Sequence, residues 1–259
     1  MDDRTVLLTG AATPMAVAVT RAFLEAGASV VVGDRDGDDL AALTDSIDEG
    51  RDRLTTVRTD PRDEYDLERL AETASRAGAR SGIDVVVPGA AIAHGDPDDQ
   101  RLAGASYAAF EDHWRVNVRG VFATVGEALA HLTDDARILI PIDGIALRPP
   151  DGNGAYGVSR SGTVAVARAF GAELDVPVGM LEVGTASVTA GGSAGSSGGA
   201  SGGASWHRRT GTNVDPGAEP FDPSDLAAMF VWAATEARDD ELDSTIVDPE
   251  RVLDRVEVG

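Results

Sequence analysis

The chain has 259 residues, of which 42% are hydrophobic, enough to bury a full sheet between two layers of helices. Its 22 basic residues are all arginine and stand against 44 acidic ones. The resulting net charge of −22 opposes binding to nucleic acid and to anionic membranes. Cysteine is absent, which excludes disulfides, thiolate metal sites and a cysteine nucleophile.

Short apolar runs, typical of buried parallel strands, alternate with segments of helical periodicity along most of the chain. The predicted strands are 5–8, 30–32, 54–58, 85–87, 138–142, 178–183 and 245–247. The predicted helices are 15–26, 38–47, 64–77, one within 110–132, 155–174 and 223–237, the last capped by Asp222. With right-handed crossovers, this alternation predicts a Rossmann-type, doubly wound parallel sheet in three α/β/α layers, a single domain spanning 1–259.

The segment 190–205 contains only Gly, Ser and Ala. Such a composition cannot offset the entropy of ordering by burying apolar surface, so it predicts a flexible loop within the domain. The following Trp206 to Arg209 is either a surface feature or a contact for a ligand phosphate.

The strong acidity predicts a protein adapted to salt, because at ~1 M salt the screening length falls to about 3 Å and relieves self-repulsion. Arginine in place of lysine through codon bias, in an ordinary acidic protein, is the alternative. No basic leader precedes the first strand and no apolar run approaches ~18 residues, so we expect a cytoplasmic protein without a membrane span.

The turn from Thr9 to Ala16 joins the first strand to the first helix. Such a turn directs backbone N–H groups and the positive end of a helix at a diphosphate, with Gly10 permitting the turn and Thr13 and Met15 next to the phosphates. The later glycines of dinucleotide fingerprints are missing, and Pro14 has no N–H. A purely structural turn is the alternative.

Asp34 ends the second strand, 24 positions after Gly10. A carboxylate there accepts hydrogen bonds from a ribose diol and repels a 2′-phosphate, which favours NAD over NADP. The adjacent Arg35 weakens that distinction, and a solvated loop aspartate is the alternative interpretation.

Over residues 4–189, the order and spacing of several further residues resemble classical members of the short-chain dehydrogenase/reductase family. Thr9–Gly10 is similar to the start of its glycine motif, and Tyr156 to Arg160 is similar to its Tyr-x-x-x-Lys motif. The resemblance implies hydride transfer between a nicotinamide cofactor and an alcohol or carbonyl substrate, with Tyr156 as acid/base, Arg160 as its activating cation and Asn117 as anchor of a proton relay. It also implies that cofactor contacts come from Asp60, Ala90, Tyr156, Arg160, Gly184 and Ala186.

Several positions depart from the family pattern. Asp143 stands 13 residues before Tyr156, where the family has serine; it can orient an alcohol but cannot donate to a carbonyl while ionised. Its charge would also raise the pKa of the phenol. Pro88 and Val183 are further departures. The alternative function is therefore a catalytically inactive sensor or structural subunit.

The long helices within 107–131 and 155–174 form a dimer interface in the resembled family, which implies a homodimer or homotetramer; packing on the sheet is the alternative. His94, His113, His131 and His207 show no metal-ligand spacing and are interpreted as structural or exposed. Asp96, Asp98 and Asp99 are interpreted as a solvated acidic loop, so no metal site is predicted.

Overall fold

The computed structural model describes residues 1–94, 101–147, 154–184, 221–242, 246–247 and 252. The predictions for the 190–205 run, for Ala186 and for the segments around Asp98 and His207 lie outside these residues. The extent of the single domain, 1–259, stays a prediction.

The strands in the described part of the chain form one parallel sheet in the order β3-β2-β1-β4-β5-β6-β7. Their bounds are β1 Thr5–Thr9, β2 Ser29–Asp34, β3 Leu54–Arg58, β4 Ile83–Pro88, β5 Leu132–Ile142, β6 Val178–Glu182 and β7 Ile246–Val247. The strand order reverses direction between β1 and β4, and a crevice at the carboxyl ends of the strands is expected at this switch point. The predicted doubly wound sheet is confirmed.

Helices connect the strands and cover both faces of the sheet. They are α1 Pro14–Glu25, α2 Gly37–Ser46, α3 Glu64–Ser75, α4 Tyr107–His113, α5 Val121–Ala128, α6 Gly144–Leu147, α7 Gly154–Glu173, α8 Pro223–Thr235 and α9 Asp239–Leu242. The predicted cap of α8 is confirmed, since the Asp222 carboxylate accepts the Ser224 N–H.

The helix within 110–132 differs from the prediction in two ways. Between α4 and α5 the chain forms a π-helical segment, Trp114–Gly120, so that one long helix is locally wound wider. Its last turn, Leu129–His131, is a 3-10 helix, and β5 begins at Leu132 rather than at 138. The prediction assigned residues 133–137 to neither element, whereas pairing of β5 with β4 draws this segment into the sheet.

The core lies in two clusters, one on each face of the sheet. On β1, Val6 and Leu8 pack with residues of α1, α2 and α8, while Leu7 points to the opposite cluster with residues of α3, α5 and α7. This alternation follows from the period of two in a strand. Burial of each Leu or Val side chain contributes about 1.5–3 kcal/mol to the free energy of folding. The two clusters therefore stabilise the packing of both helical layers on the sheet.

Candidate functional site

The turn after β1 contains Gly10 in a left-handed backbone conformation, which glycine adopts more easily than any other residue. Gly10 has φ +89°, and a Cβ added there would lie 2.9 Å from the Cα of Ala90. The Gly10 N–H donates to the Gly33 carbonyl at 2.8 Å, and the Ala90 N–H donates to Thr9 Oγ1 at 3.3 Å. Close approach of the β1 turn to the β4 loop therefore depends on Gly10.

The first turn of α1 faces the same edge of the sheet. Thr13 is the N-cap residue, its Oγ1 accepting the Ala16 N–H at 3.1 Å, and Pro14 occupies the first helical position. The Met15 side chain is buried in the core, so only its backbone N–H, at the start of the helix, is left as a possible contact for a ligand. A phosphate at this helix start would interact with fewer amides than in a glycine-rich turn.

Asp34 connects the end of β2 to this turn. One of its carboxylate oxygens accepts the Ala11 N–H at 2.6 Å, and the other accepts the Asp36 N–H at 2.9 Å. These bonds place the carboxylate beside Gly10 and fix it in one orientation. Sequence reasoning identified Asp34 by its position but not this second role of closing the turn.

A cleft opens at the carboxyl ends of β1 to β4, at the switch point of the sheet. It brings together the predicted cofactor residues Gly10, Thr13, Asp34, Arg35, Asp60 and Ala90. Thr9, the first residue of the predicted glycine motif, also lines it. The lining residues that were not predicted as cofactor contacts are Ala12, Gly33, Asp36, Asp39, Thr59, Pro61, Arg62, Gly89, Ala91, Ile92 and Val116.

The β2 side of the cleft is strongly negative. Burial raises the pKa of Asp39 above its usual value, and the charges of Asp34, Asp36 and Asp38 raise it further. Asp36 also caps α2 through the Asp38 N–H, which ties this carboxylate to the rim. An additional phosphate would meet like charge here.

The opposite side of the cleft holds an arginine between two carboxylates. The Arg62 guanidinium donates to both oxygens of Asp60, with Nη2 to Oδ2 at 2.7 Å, and donates through Nη1 to Asp112 at 2.9 Å. The hydrogen bonds from Arg62 hold the pKa of Asp60 below its usual value. Asp60 therefore lines the cleft as half of an ion pair, a pairing that its sequence position did not reveal.

The predicted catalytic residues Tyr156, Asp143 and Arg160 meet in a buried cluster at the end of β5. The Tyr156 hydroxyl donates to Asp143 Oδ2 at 2.5 Å, and Arg160 Nε donates to the same oxygen at 3.3 Å. Arg160 Nη2 donates to the Pro141 carbonyl at 2.9 Å. The exposed fractions of Tyr156, Asp143 and Arg160 are 1%, 0% and 2%. Asp143 therefore binds the phenol directly, whereas we expected it to orient an alcohol.

Burial raises the pKa of the Tyr156 phenol well above its usual value, and the negative charge of Asp143 adds to that rise. The positive charge of Arg160 acts in the opposite direction but does not outweigh the other two. The expectation that Asp143 raises the pKa of the phenol is confirmed in direction. The phenol is a neutral group in this arrangement.

Asn117 lies in the π-helical segment and joins the cluster to the cleft. Its amide exchanges two hydrogen bonds with the backbone of Ile92, at 2.8 and 2.9 Å, and donates to Ser159 Oγ at 2.9 Å. Its own backbone carbonyl accepts the Thr163 hydroxyl at 2.7 Å. Ile92 lines the cleft and Ser159 belongs to α7, so Asn117 fixes the two elements against each other.

His113 is a buried neighbour of Tyr156 that the sequence gave no reason to choose over the other histidines. Its ring packs edge-on against the Tyr156 ring at a centroid distance of 6.1 Å, and Nε2 accepts the His94 N–H at 2.8 Å. Burial lowers its pKa, so the ring is neutral. The interpretation of His113 as structural fits this position.

Gly184 lies just beyond β6 with φ +71°, beside Phe221. It is not among the residues that line the cleft. Within the described ranges, no group of three or more His, Asp or Glu side chains could hold a metal ion, and no helix is long and apolar enough to cross a membrane.

A family model described as short chain dehydrogenase matches residues 4–191. The chain is 29% identical over 192 residues to a cis-2,3-dihydrobiphenyl-2,3-diol dehydrogenase of Paraburkholderia xenovorans, covering 71% of this chain and 66% of that protein. It is 31% identical over 182 residues to a 1-deoxy-11-beta-hydroxypentalenate dehydrogenase of Streptomyces exfoliatus, covering 67% of this chain and 63% of that protein. The chain thus spans slightly less than two thirds of either relative.

Solved structures share the architecture. A glucose/ribitol dehydrogenase of the short-chain dehydrogenase/reductase type from Brucella melitensis superposes with a TM-score of 0.65 at 28% identity, covering 71% of this chain and 73% of that one. A 3-ketoacyl-(acyl-carrier-protein) reductase from the same organism, complexed with NADH, superposes with a TM-score of 0.75 at 21% identity, covering 95% and 96%. The second likeness concerns the fold alone.

Proposed function

The chain belongs to the short-chain dehydrogenase family, and on that premise we propose that it is an oxidoreductase that transfers a hydride between NAD(H) and a small alcohol or carbonyl substrate. One observation carries the proposal. Ile92, in the wall of the cleft, is hydrogen-bonded to Asn117, which is in turn hydrogen-bonded to the helix that bears Tyr156. This link supports the proposal, because it holds the wall of the cleft against the helix that carries Tyr156.

The charges along the cleft support a dinucleotide with an unmodified ribose over one with a 2′-phosphate. Gly10 and the start of α1 would face the diphosphate, and Asp34 would accept hydrogen bonds from the ribose diol. Asp36 and Asp39 add negative charge on the same side, which supports NAD over NADP even though Arg35 lies nearby. Asp60, in its ion pair with Arg62, would border the adenine. Bound NAD⁺ would accept the hydride, and NADH would supply it.

In the buried cluster, Tyr156 would exchange a proton with the substrate oxygen, and Asn117 would hold the surrounding backbone. Arg160 would compensate the charge of Asp143 rather than contact the ribose, because its guanidinium is bonded to Asp143 and to the Pro141 carbonyl. Gly184 would leave room for the cofactor after β6, and Ala186 would stay a candidate contact.

We also propose a homodimer or homotetramer built on the helix of α4, the π-helical segment and α5. Its outer face exposes large apolar side chains in close sequence order, with Trp114 at 46% and Phe122 at 56% exposure. Burying such a face against a second copy would remove an apolar patch from water. Sedimentation at several protein concentrations tests this, with Phe122→Glu as the variant expected to dissociate.

The experiment that tests the function has two parts. NADH and NADPH are titrated into the protein at high salt, with nicotinamide fluorescence as the readout, and NADH is expected to bind more tightly. The protein is then offered NAD⁺ with cyclohexanol or phenylethanol, and NADH with the matching ketones. Turnover that disappears in Tyr156→Phe while NADH still binds supports the proposal. A protein without affinity for either dinucleotide would instead have the inactive, structural role.

A further inference from the structure

The carboxylate of Asp143 accepts the hydroxyl hydrogen of Tyr156, so a proton that Tyr156 took from a substrate could pass on to it. We propose that, in alcohol oxidation, Asp143 is the terminal acceptor of the substrate proton and that Tyr156 passes this proton on as a neutral phenol. The proposal rests on the proposed function. It assigns a role to Asp143.

The contact between the two groups is short and shielded from water. The 2.5 Å from Tyr156 Oη to Asp143 Oδ2 is in the range of O–H···O⁻ bonds to an ionised acceptor, which are the stronger ones. Both side chains are almost completely buried. Water therefore does not compete for this proton, and the phenol has one direction in which to donate.

Two further bonds hold the Asp143 carboxylate in place. Arg160 Nε donates to Oδ2, and the Ala146 N–H donates to Oδ1 at 3.0 Å, so both oxygens have partners. Arg160 is itself fixed by the Pro141 carbonyl. The adjacent guanidinium also offsets the cost of burying a carboxylate charge.

The other ionisable groups near the pair do not take over its role. His113 faces Tyr156 from α4 as a neutral ring, its Nε2 already accepting the His94 N–H. Glu182 comes from the end of β6, with its Oε1 3.5 Å from the position of a Cβ at Gly144, the residue after Asp143. Asp143 is thus the acceptor in direct contact with the phenol.

The oxidation step balances without any further reactant. The alcohol O–H bond breaks and its proton moves to Tyr156 Oη, while the original phenol proton moves to Asp143 Oδ2. The carbinol C–H bond breaks with its electron pair as the hydride that NAD⁺ accepts, and the C=O bond of the product forms. Tyr156 ends as a neutral phenol and Asp143 as a carboxylic acid, and its proton returns through the Tyr156 hydroxyl to water that enters the site once the product has left.

The residue type at 143 decides which hydrogen bonds the buried group can make. A hydroxyl there could donate a hydrogen bond to a ketone, whereas an ionised carboxylate only accepts. By microscopic reversibility, reduction of a ketone through the same pair would start with the proton on Asp143.

The first test is a titration of the protein without cofactor or substrate. The chain has three tyrosines, and Tyr65 and Tyr107 are exposed, at 71% and 95%, so their tyrosinate absorbance separates from that of Tyr156. We expect Tyr156 to ionise last in the wild type and at clearly lower pH in Asp143→Asn and Asp143→Ser. Tyr156→Phe identifies the signal. A Tyr156 titration unchanged in both variants overturns the proposal.

The second test follows hydride transfer from cyclohexanol or phenylethanol to NAD⁺. Asp143→Asn should lower kcat by about 100-fold or more, the usual effect of losing a proton-transfer group, with the Kd for NADH unchanged. The solvent isotope effect should report two moving protons in the wild type and one in Asp143→Ser/Arg160→Lys. In that double variant a hydroxyl replaces the carboxylate next to the phenol, so it separates loss of the proton acceptor from loss of a hydrogen-bond partner for Tyr156.

The outcomes separate the two proposals. If the wild type does not bind NADH, the proposed function is contradicted. If the wild type binds NADH and the kcat of Asp143→Asn for alcohol oxidation lies within about threefold of the wild-type kcat, only the proton relay is overturned. The titration needs no turnover, so it gives its answer even if the tested alcohols are poor substrates.

Discussion

Replacing Gly10 by alanine tests the turn on which the cleft is built. The residue has φ +89°, and its new Cβ would lie 2.9 Å from the Cα of Ala90, a backbone atom that cannot move aside cheaply. The left-handed backbone costs about 1–2 kcal/mol. Relieving the overlap costs about 1–3 kcal/mol. We therefore expect the free energy of unfolding to fall by about 2–5 kcal/mol, a large part of a typical total.

The effect should extend to the cofactor, because moving Gly10 away from Ala90 shifts the turn that faces the diphosphate. Denaturant unfolding gives the stability change, with an unchanged m value as a check for two-state behaviour. NADH fluorescence gives the affinity, which we expect to drop by at least about tenfold, or ~1.4 kcal/mol. Gly37→Ala is the matched control, since its Cβ meets nothing within 4 Å. A Gly10→Ala variant as stable as Gly37→Ala, with wild-type affinity for NADH, would refute the reasoning.

Two other predictions concern particular contacts, and a third concerns the net charge. Asp34→Ala should bring NADPH affinity closer to NADH affinity by about tenfold or more, because the carboxylate that opposes a 2′-phosphate is gone; a fluorescence titration in which the ratio stays fixed would count against it. Asp84→Ala should cost about 2–4 kcal/mol of unfolding free energy, because it leaves the buried Thr5 N–H and the Thr133 hydroxyl without their acceptor, while Asp84→Asn should cost less. The Tm should rise with KCl concentration, since 44 acidic residues repel one another less when screened; a Tm indifferent to salt would remove the case for salt adaptation.

Much of the fold was predictable because its signals are local. The apolar runs gave the strand positions, and Gly10 and Asp34 marked the ends of β1 and β2, where parallel strands deliver their functional residues. The spacing of four between Tyr156 and Arg160 placed them on one face of α7. In the structure that face of α7 meets the end of β5, where both side chains bond Asp143.

The pairings inside the site were not predictable, because they join residues that are distant in sequence. Arg62 meets Asp112 across 50 positions, and Asn117 meets Ser159 across 42. The π-helical turn that carries Asn117 has no periodicity of its own in so short a segment. Asp143 was identified from its position in the sequence. Its hydrogen bond with the Tyr156 phenol was not, because that contact depends on how β5 and α7 pack.

The most direct test of the account is hydride transfer in the wild type and in Tyr156→Phe, measured together with NADH binding at high salt. We predict that both proteins bind NADH with similar Kd and that only the wild type reduces NAD⁺ in the presence of a secondary alcohol. Equal turnover in the two proteins, or no binding of NADH by the wild type, would contradict the account.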